Sequence, residues 1–111
     1  MVKELSRKAK RNMHLVLKDI YDATMDNPIK SKVMEKRWNI SGTTVREIVH
    51  HLRTVDRKPI CSDANGYFYA KNRAQAEHTI AQLRSRVKQI NEAASALEEC
   101  FKDEIQGTLW G

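Results

Sequence analysis

The sequence predicts a mainly α-helical protein with one small β-hairpin and a long C-terminal helix. Three stretches carry that expectation. Residues 31–50, SKVMEKRWNISGTTVREIVH, space Met34, Trp38, Ile40, Val45 and Ile48 as two short helices crossing around a tight turn. Residues 59–70 place Asn65-Gly66 between runs rich in β-formers. Residues 73–106 hold neither proline nor glycine and repeat apolar residues at steps of three and four.

The first element is expected over residues 3–24, where Leu5, Ala9, Met13, Val16, Leu17, Ile20 and Tyr21 share one helical face. Its first half is basic, with Lys3, Arg7, Lys8, Lys10 and Arg11. Cations near a helix N-terminus oppose the macrodipole. That half is therefore expected to fray unless packing or phosphate orders it. Asp26-Asn27-Pro28 breaks the helix, because proline disfavours helical geometry in the residue before it.

Ser31 is the expected cap of a helix over residues 31–38. Asn39 stands where the turn needs a left-handed backbone, which asparagine tolerates well. Ser41 can cap the next helix, about residues 42–54, by accepting from a free N–H near Thr43 or Thr44. In that helix Val45, Ile48, Val49 and Leu52 face inward. Thr43, Arg46, His50 and Arg53 share the opposite face, with Glu47 beside it. Two helices joined this way make either a plain core hairpin or a helix-turn-helix unit, whose second helix enters a DNA major groove. Next come KPICS and YFYA, flanking Asp63-Ala64-Asn65-Gly66. Asn-Gly accepts positive φ at both positions and signals a tight hairpin turn. A hairpin directly after a helix-turn-helix has the order of a wing.

In this order residues 29–70 resemble the winged helix-turn-helix family. The run ISGTTVREIVHHLR…PICSDANGYFYAKN is similar to small winged-helix proteins encoded by bacteriophages and prophages of Gram-positive bacteria. The resemblance implies binding of double-stranded DNA, in transcriptional regulation or replication control, within the cytoplasm of a bacterial host cell. Glu35 departs from the family pattern, which places a small residue at the helix crossing. Its side chain must point outward, or the crossing must widen.

A chain of 111 residues suits a single domain. It is divided as an N-terminal helix (1–27), a winged helix-turn-helix (28–71), a long dimerisation helix (72–106) and a tail (107–111). Net charge is +6 and segregated: residues 1–18 carry +5, 30–58 carry +5 and 71–88 carry +4, while 19–29 carry −3, 59–70 carry −1 and 89–111 carry −4. Basic surface attracts phosphate backbones through counterion release, although charge runs are also ordinary solvated faces. No apolar run approaches the ~20 residues of a membrane span, and no apolar core follows the basic start as a signal peptide requires. Neither a membrane nor a cofactor is expected. Cys61 and Cys100 form no metal-ligand spacing and are expected as free thiols of a reducing compartment.

Ile80, Leu83, Val87, Ile90, Ala94, Leu97 and Phe101 form a heptad seam. Two partners for it are expected: the apolar face of helix 1, covering about half, and the same helix of a second copy, giving a homodimer. The flanking positions choose no orientation. Parallel pairing sets Thr79 against Arg84 and Arg86 against Asn91, and antiparallel pairing is equally undistinguished. Gly107 is the expected helix stop, with Leu109-Trp110 plugging the dimer core.

No catalytic constellation is present: no nucleophile elbow, no phosphate-binding glycine loop and no H-E-x-x-H. Adjacent helical residues diverge by about 100°, so His50 and His51 cannot share a metal ion. The chain is read as a non-enzyme that binds duplex DNA. Base contacts are expected from Thr43, Arg46 and His50, since arginine's fork pairs with guanine O6 and N7. Phosphate contacts are expected from Ser31, Lys32, Lys36, Arg53, Arg57 and Lys58, and a minor-groove contact from Asn65. The alternative is a phage-encoded interaction module that inhibits or redirects a host protein, held by the long helix and the tail.

Overall fold

The computed structural model describes residues 4–102. Its elements are α1 (Arg7–Tyr21), α2 (Ser31–Trp38), α3 (Gly42–Thr54), β1 (Ile60–Asp63), β2 (Gly66–Tyr69) and α4 (Arg73–Cys100). The expected helix stop at Gly107 and the Leu109-Trp110 tail lie outside the described residues. The chain divides into two compact units, Met1–Thr79 and Ile80–Gly111.

The first unit is built around α3. Val45, Ile48, Val49 and Leu52 are all buried, as the three-and-four spacing predicts. Ala9, Val16 and Ile20 of α1, Met34 of α2, Ile40 of the turn and Ile60 of β1 complete the same cluster, with Met13, Leu17 and Trp38 packed against it. The apolar face of α1 is thereby used up inside this unit. Tyr21, expected on that face, is exposed and meets Tyr69 edge-on, with ring centroids 4.9 Å apart.

α1 is shorter than residues 3–24 at both ends. Ser6 is its cap, accepting from the Ala9 N–H at 3.2 Å. The basic first turn is thus ordered by a cap rather than frayed. At the other end the helix stops before the expected Asp26-Asn27-Pro28 break. Thr24 and Asn27 exchange backbone hydrogen bonds of 3.2 and 3.0 Å, closing a turn that Pro28 follows. Asp19 then ties α1 to α2. Its carboxylate, 11% exposed, accepts from Trp38 Nε1 at 2.7 Å and from Arg37 Nη1 at 2.8 Å.

α2 begins at Ser31, but its cap position is Lys30, whose side chain makes no capping bond. The Ser31 hydroxyl donates instead to Glu35 Oε2 at 2.8 Å. The turn matches its expectation: Asn39 has φ 52° and ψ 54°, and Ser41 Oγ accepts from the Thr44 N–H at 3.2 Å.

β1 and β2 pair antiparallel, Cys61 opposite Phe68 and Asp63 opposite Gly66. Ala64 and Asn65 therefore form the turn, one residue earlier than Asn-Gly at its centre would give. Asp63 Oδ1 accepts from the Asn65 N–H at 2.7 Å, an aspartate turn that sets this register. Of the expected two positive-φ positions only Gly66 has one, at 137°. Its glycine has a steric reason as well. Ile29 and Tyr67 exchange two 2.8 Å backbone hydrogen bonds. A Cβ on Gly66 would fall 2.4 Å from the Ile29 carbonyl oxygen.

Asn72 Oδ1 accepts from the Gln75 N–H (3.0 Å), and Gln75 Oε1 accepts from the Lys71 N–H (2.9 Å), starting α4. Ala76 packs on a second small cluster of Ala23, Cys61, Phe68 and Ala70. One turn later the buried Thr79 hydroxyl donates to the Ser62 carbonyl and accepts from the Ser62 N–H, both at 3.1 Å. It satisfies both backbone groups of Ser62 on the open edge of β1 with one side chain.

The second unit is the remainder of α4. Its helix runs to Cys100, and Phe101 lies in a turn with its N–H on the Glu98 carbonyl. The seam residues are exposed, Ile90 by 67% and Leu97 by 63%. Among the described residues no helix is long and apolar enough to cross a membrane.

Gly66→Ala is expected to lower unfolding free energy by about 2–3 kcal/mol, since backbone strain of about 1–3 kcal/mol adds to the clash with Ile29. Urea unfolding followed by circular dichroism measures this. An unchanged midpoint would show that the Ile29 strand pairing is dispensable.

Candidate functional site

With its apolar stripe buried, α3 presents Thr43, Arg46 and His50 together on an exposed face. Arg46 Nη2 donates to Thr43 Oγ1 at 3.2 Å, so the guanidinium lies along the first turn of the helix. Among the described residues it forms no ion pair with a carboxylate.

Two carboxylates adjoin this face, and both are occupied by serines. Glu47 accepts the Ser6 N–H at Oε2 (2.8 Å) and the Ser6 hydroxyl at Oε1 (3.0 Å). The interaction seats the start of α1, with exposed Arg7, beside α3. Glu35, half-buried at the crossing of α2 and α3, takes the Ser31 hydroxyl. Gly42 opens the facing helix beside it. A Cβ there would come within 3.4 Å of Glu35 Oε2 and 3.5 Å of Arg46 Nη1. These are ordinary van der Waals distances, and Glu35 itself is half-buried at the crossing rather than turned fully outward.

The remaining expected residues are placed as follows. Lys32 and Lys36 are exposed on α2. Ser31 is half-buried, and its hydroxyl is engaged by Glu35. Arg53 is not on the open face: its Nε donates to the Ile60 carbonyl (2.8 Å) and its Nη2 to Ser62 Oγ (3.3 Å), bracing α3 against β1. Arg57 is exposed with φ 57°, in the left-handed connection out of α3. Lys58 is half-buried and lines a depression of about 400 Å³ with His14, Tyr21 and Tyr69. Asn65 is exposed at the hairpin tip, next to the Asp63 carboxylate that holds its N–H.

Two contributors escaped the sequence reading. Ser6 had a signal, a serine directly before an amphipathic run. Its partner Glu47 lies 41 positions away and had none. Lys30, exposed at the α2 cap position, was hidden by the choice of Ser31 as cap.

Other chemistry finds little here. No three His, Cys, Asp or Glu side chains gather as metal ligands among the described residues. Burial pushes the Cys61 thiol up, against the opposing effects of a Thr79 hydrogen bond and the Arg53 charge, which leaves it a poor nucleophile. No family model matches the chain, and no match is found among curated proteins or solved structures.

Glu47→Ala is expected to cost about 1 kcal/mol, a charge-assisted pair of hydrogen bonds discounted for exposure, and to speed amide exchange in the first turn of α1. Exchange unchanged at Lys8 and Ala9 would show that Ser6 caps unaided. The two thiols should also separate: under native conditions a maleimide labels exposed Cys100, while buried Cys61 reacts only on unfolding. A raised folded-state pKa makes the Cys61 contribution to stability full below its unfolded value and lost as pH rises through the folded one. Titration of the unfolding midpoint at alkaline pH, compared with Cys61→Ala, tests that sign.

Proposed function

We propose that the chain binds double-stranded DNA as a winged helix-turn-helix protein, with α2 and α3 as the helix pair and the β1–β2 hairpin as the wing. The observation carrying this reading is the exposed α3 face, where Thr43, Arg46 and His50 stand together and neighbouring carboxylates are taken by serines. In a major groove Arg46 would exchange its weak Thr43 bond for guanine O6 and N7, a pairing worth about 1–3 kcal/mol of discrimination. Thr43 and His50 flank it, one turn to either side. Lys32 and Lys36 of α2 reach phosphates, and Arg57 does so after α3. The basic start of α1, seated beside α3, adds phosphate contacts from Arg7. Asn65 enters the minor groove at the wing tip, where Asp63 weakens the contact. Arg53 acts on DNA through the hairpin it braces.

The likeness to phage and prophage winged-helix proteins, read from ISGTTVREIVHHLR and the following hairpin, supports a role in transcriptional regulation or replication control in a bacterial cell. Selection of bound duplexes from a random pool, followed by gel-shift titration, tests the reading. Arg46→Ala should lose about 5–150-fold in affinity for the selected site and relax the preference at one base pair. Lys36→Ala should weaken all sequences alike and reduce the salt slope by about one. Both variants binding like wild type would overturn the assignment.

A further inference from the structure

We propose that the exposed apolar face of α4 is covered by the same face of a second copy of this chain, running antiparallel. The inference stands on the second unit alone and is independent of DNA binding. Leu83, Val87, Ile90, Leu97 and Phe101 are exposed by 38–67% in the single chain. Within residues 80–102 the described side chains supply one ion pair, Glu99 with Lys102. Most helical stability in proteins comes from packing of an amphipathic face rather than from propensity.

The charge along the helix selects the occupant. Arg84, Arg86 and Lys88 lie before its midpoint, and Glu92, Glu98 and Glu99 after it, all exposed. A parallel copy lays basic half on basic half and acidic on acidic. An antiparallel copy lays each basic half on an acidic one.

One register satisfies both the seam and the charge. Centred on Glu92, it sets Leu83 against the partner's Phe101, Val87 against the partner's Leu97 and Ile90 against the partner's Ala94. Every seam residue from Leu83 to Phe101 is then covered. On one flank Arg84 faces the partner's Glu98, twice by symmetry, and Asn91 meets the partner's Asn91. On the other flank Ala93 meets the partner's Ala93. Antiparallel flanks, expected from the sequence to be as undistinguished as parallel ones, gain the Arg84–Glu98 match in this register.

Cysteine scanning in the full chain with Cys100→Ser distinguishes the arrangements. Asn91→Cys should give a disulfide-linked dimer under mild oxidation, and Val87→Cys should not. Cross-linking at position 87 but not 91 would establish a parallel pair and overturn the proposal. Light scattering should report a dimer at tens of micromolar; a monomer would overturn it and leave the face to a different protein. Arg84→Glu alone and Glu98→Arg alone should each weaken dimerisation about tenfold. The double variant should return it to within about threefold of wild type, because only facing residues exchange this way. No recovery would refute the register.

Discussion

Four side chains on one helix organise the first unit. Val45, Ile48, Val49 and Leu52 leave water together, and each fully buried aliphatic side chain contributes about 1.5–3 kcal/mol. No single exposed ion pair in the molecule competes with that, since surface pairs are worth about 0–1 kcal/mol. α1, α2 and β1 each bury their own apolar residues against this stripe, so their positions follow from it. The candidate binding face is its geometric complement. With the stripe inward, Thr43, Arg46 and His50 have no orientation left but outward, and the turn at Asn39–Ser41 fixes where along α2 that face begins.

Charge is arranged by the same packing. Asp19, Glu35 and Glu47 are each taken up by donors within the fold: Trp38 and Arg37, Ser31, and Ser6 respectively. Their carboxylates act as joints between α1, α2 and α3 or within α2. Most cations of the same helices are instead exposed. The exposed surface of these helices is therefore more positive than a count of residues along the chain suggests. Arg37, exposed but held by Asp19, and half-buried Arg53, held by the hairpin, tie these helices to their neighbours.

Periodicity carried much of this into view. It predicts the buried stripe of α3, the left-handed Asn39, the Ser41 cap and the long C-terminal helix, because each depends on residues within one or two turns of one another. What it missed depends on distant backbone. Gly66 reads as half of an Asn-Gly turn, yet its freedom is needed because the Ile29 carbonyl occupies the space of a Cβ. Asp63 moves the turn by one residue through a local bond that competed with the stronger signal. Arg53 shares a helical face with Arg46 and His50 by arithmetic, but the hairpin arrives beside it and takes its guanidinium. Glu35 departs from the small residue expected at the crossing, yet it sits there half-buried with its carboxylate on the Ser31 hydroxyl, a partner one turn away on its own helix.

α4 meets two different demands along one helix. Up to Thr79 its residues close the hairpin: Ala76 fills a small cluster, and the Thr79 hydroxyl serves both backbone groups of Ser62. These are short-range requirements that small and hydroxylated side chains meet. From Ile80 onward the apolar residues become large, regular and exposed, a pattern with no use inside a single copy whose α1 face is already buried. The reversal of charge near the middle of that segment has no local role either, since opposite charges so far apart on one helix do not meet. Both features acquire a physical purpose together when the helix lies against its own reverse: the seam is covered and the basic half meets an acidic one. A self-complementary surface of this kind is what two-fold symmetry demands, because each patch must match its partner read backwards.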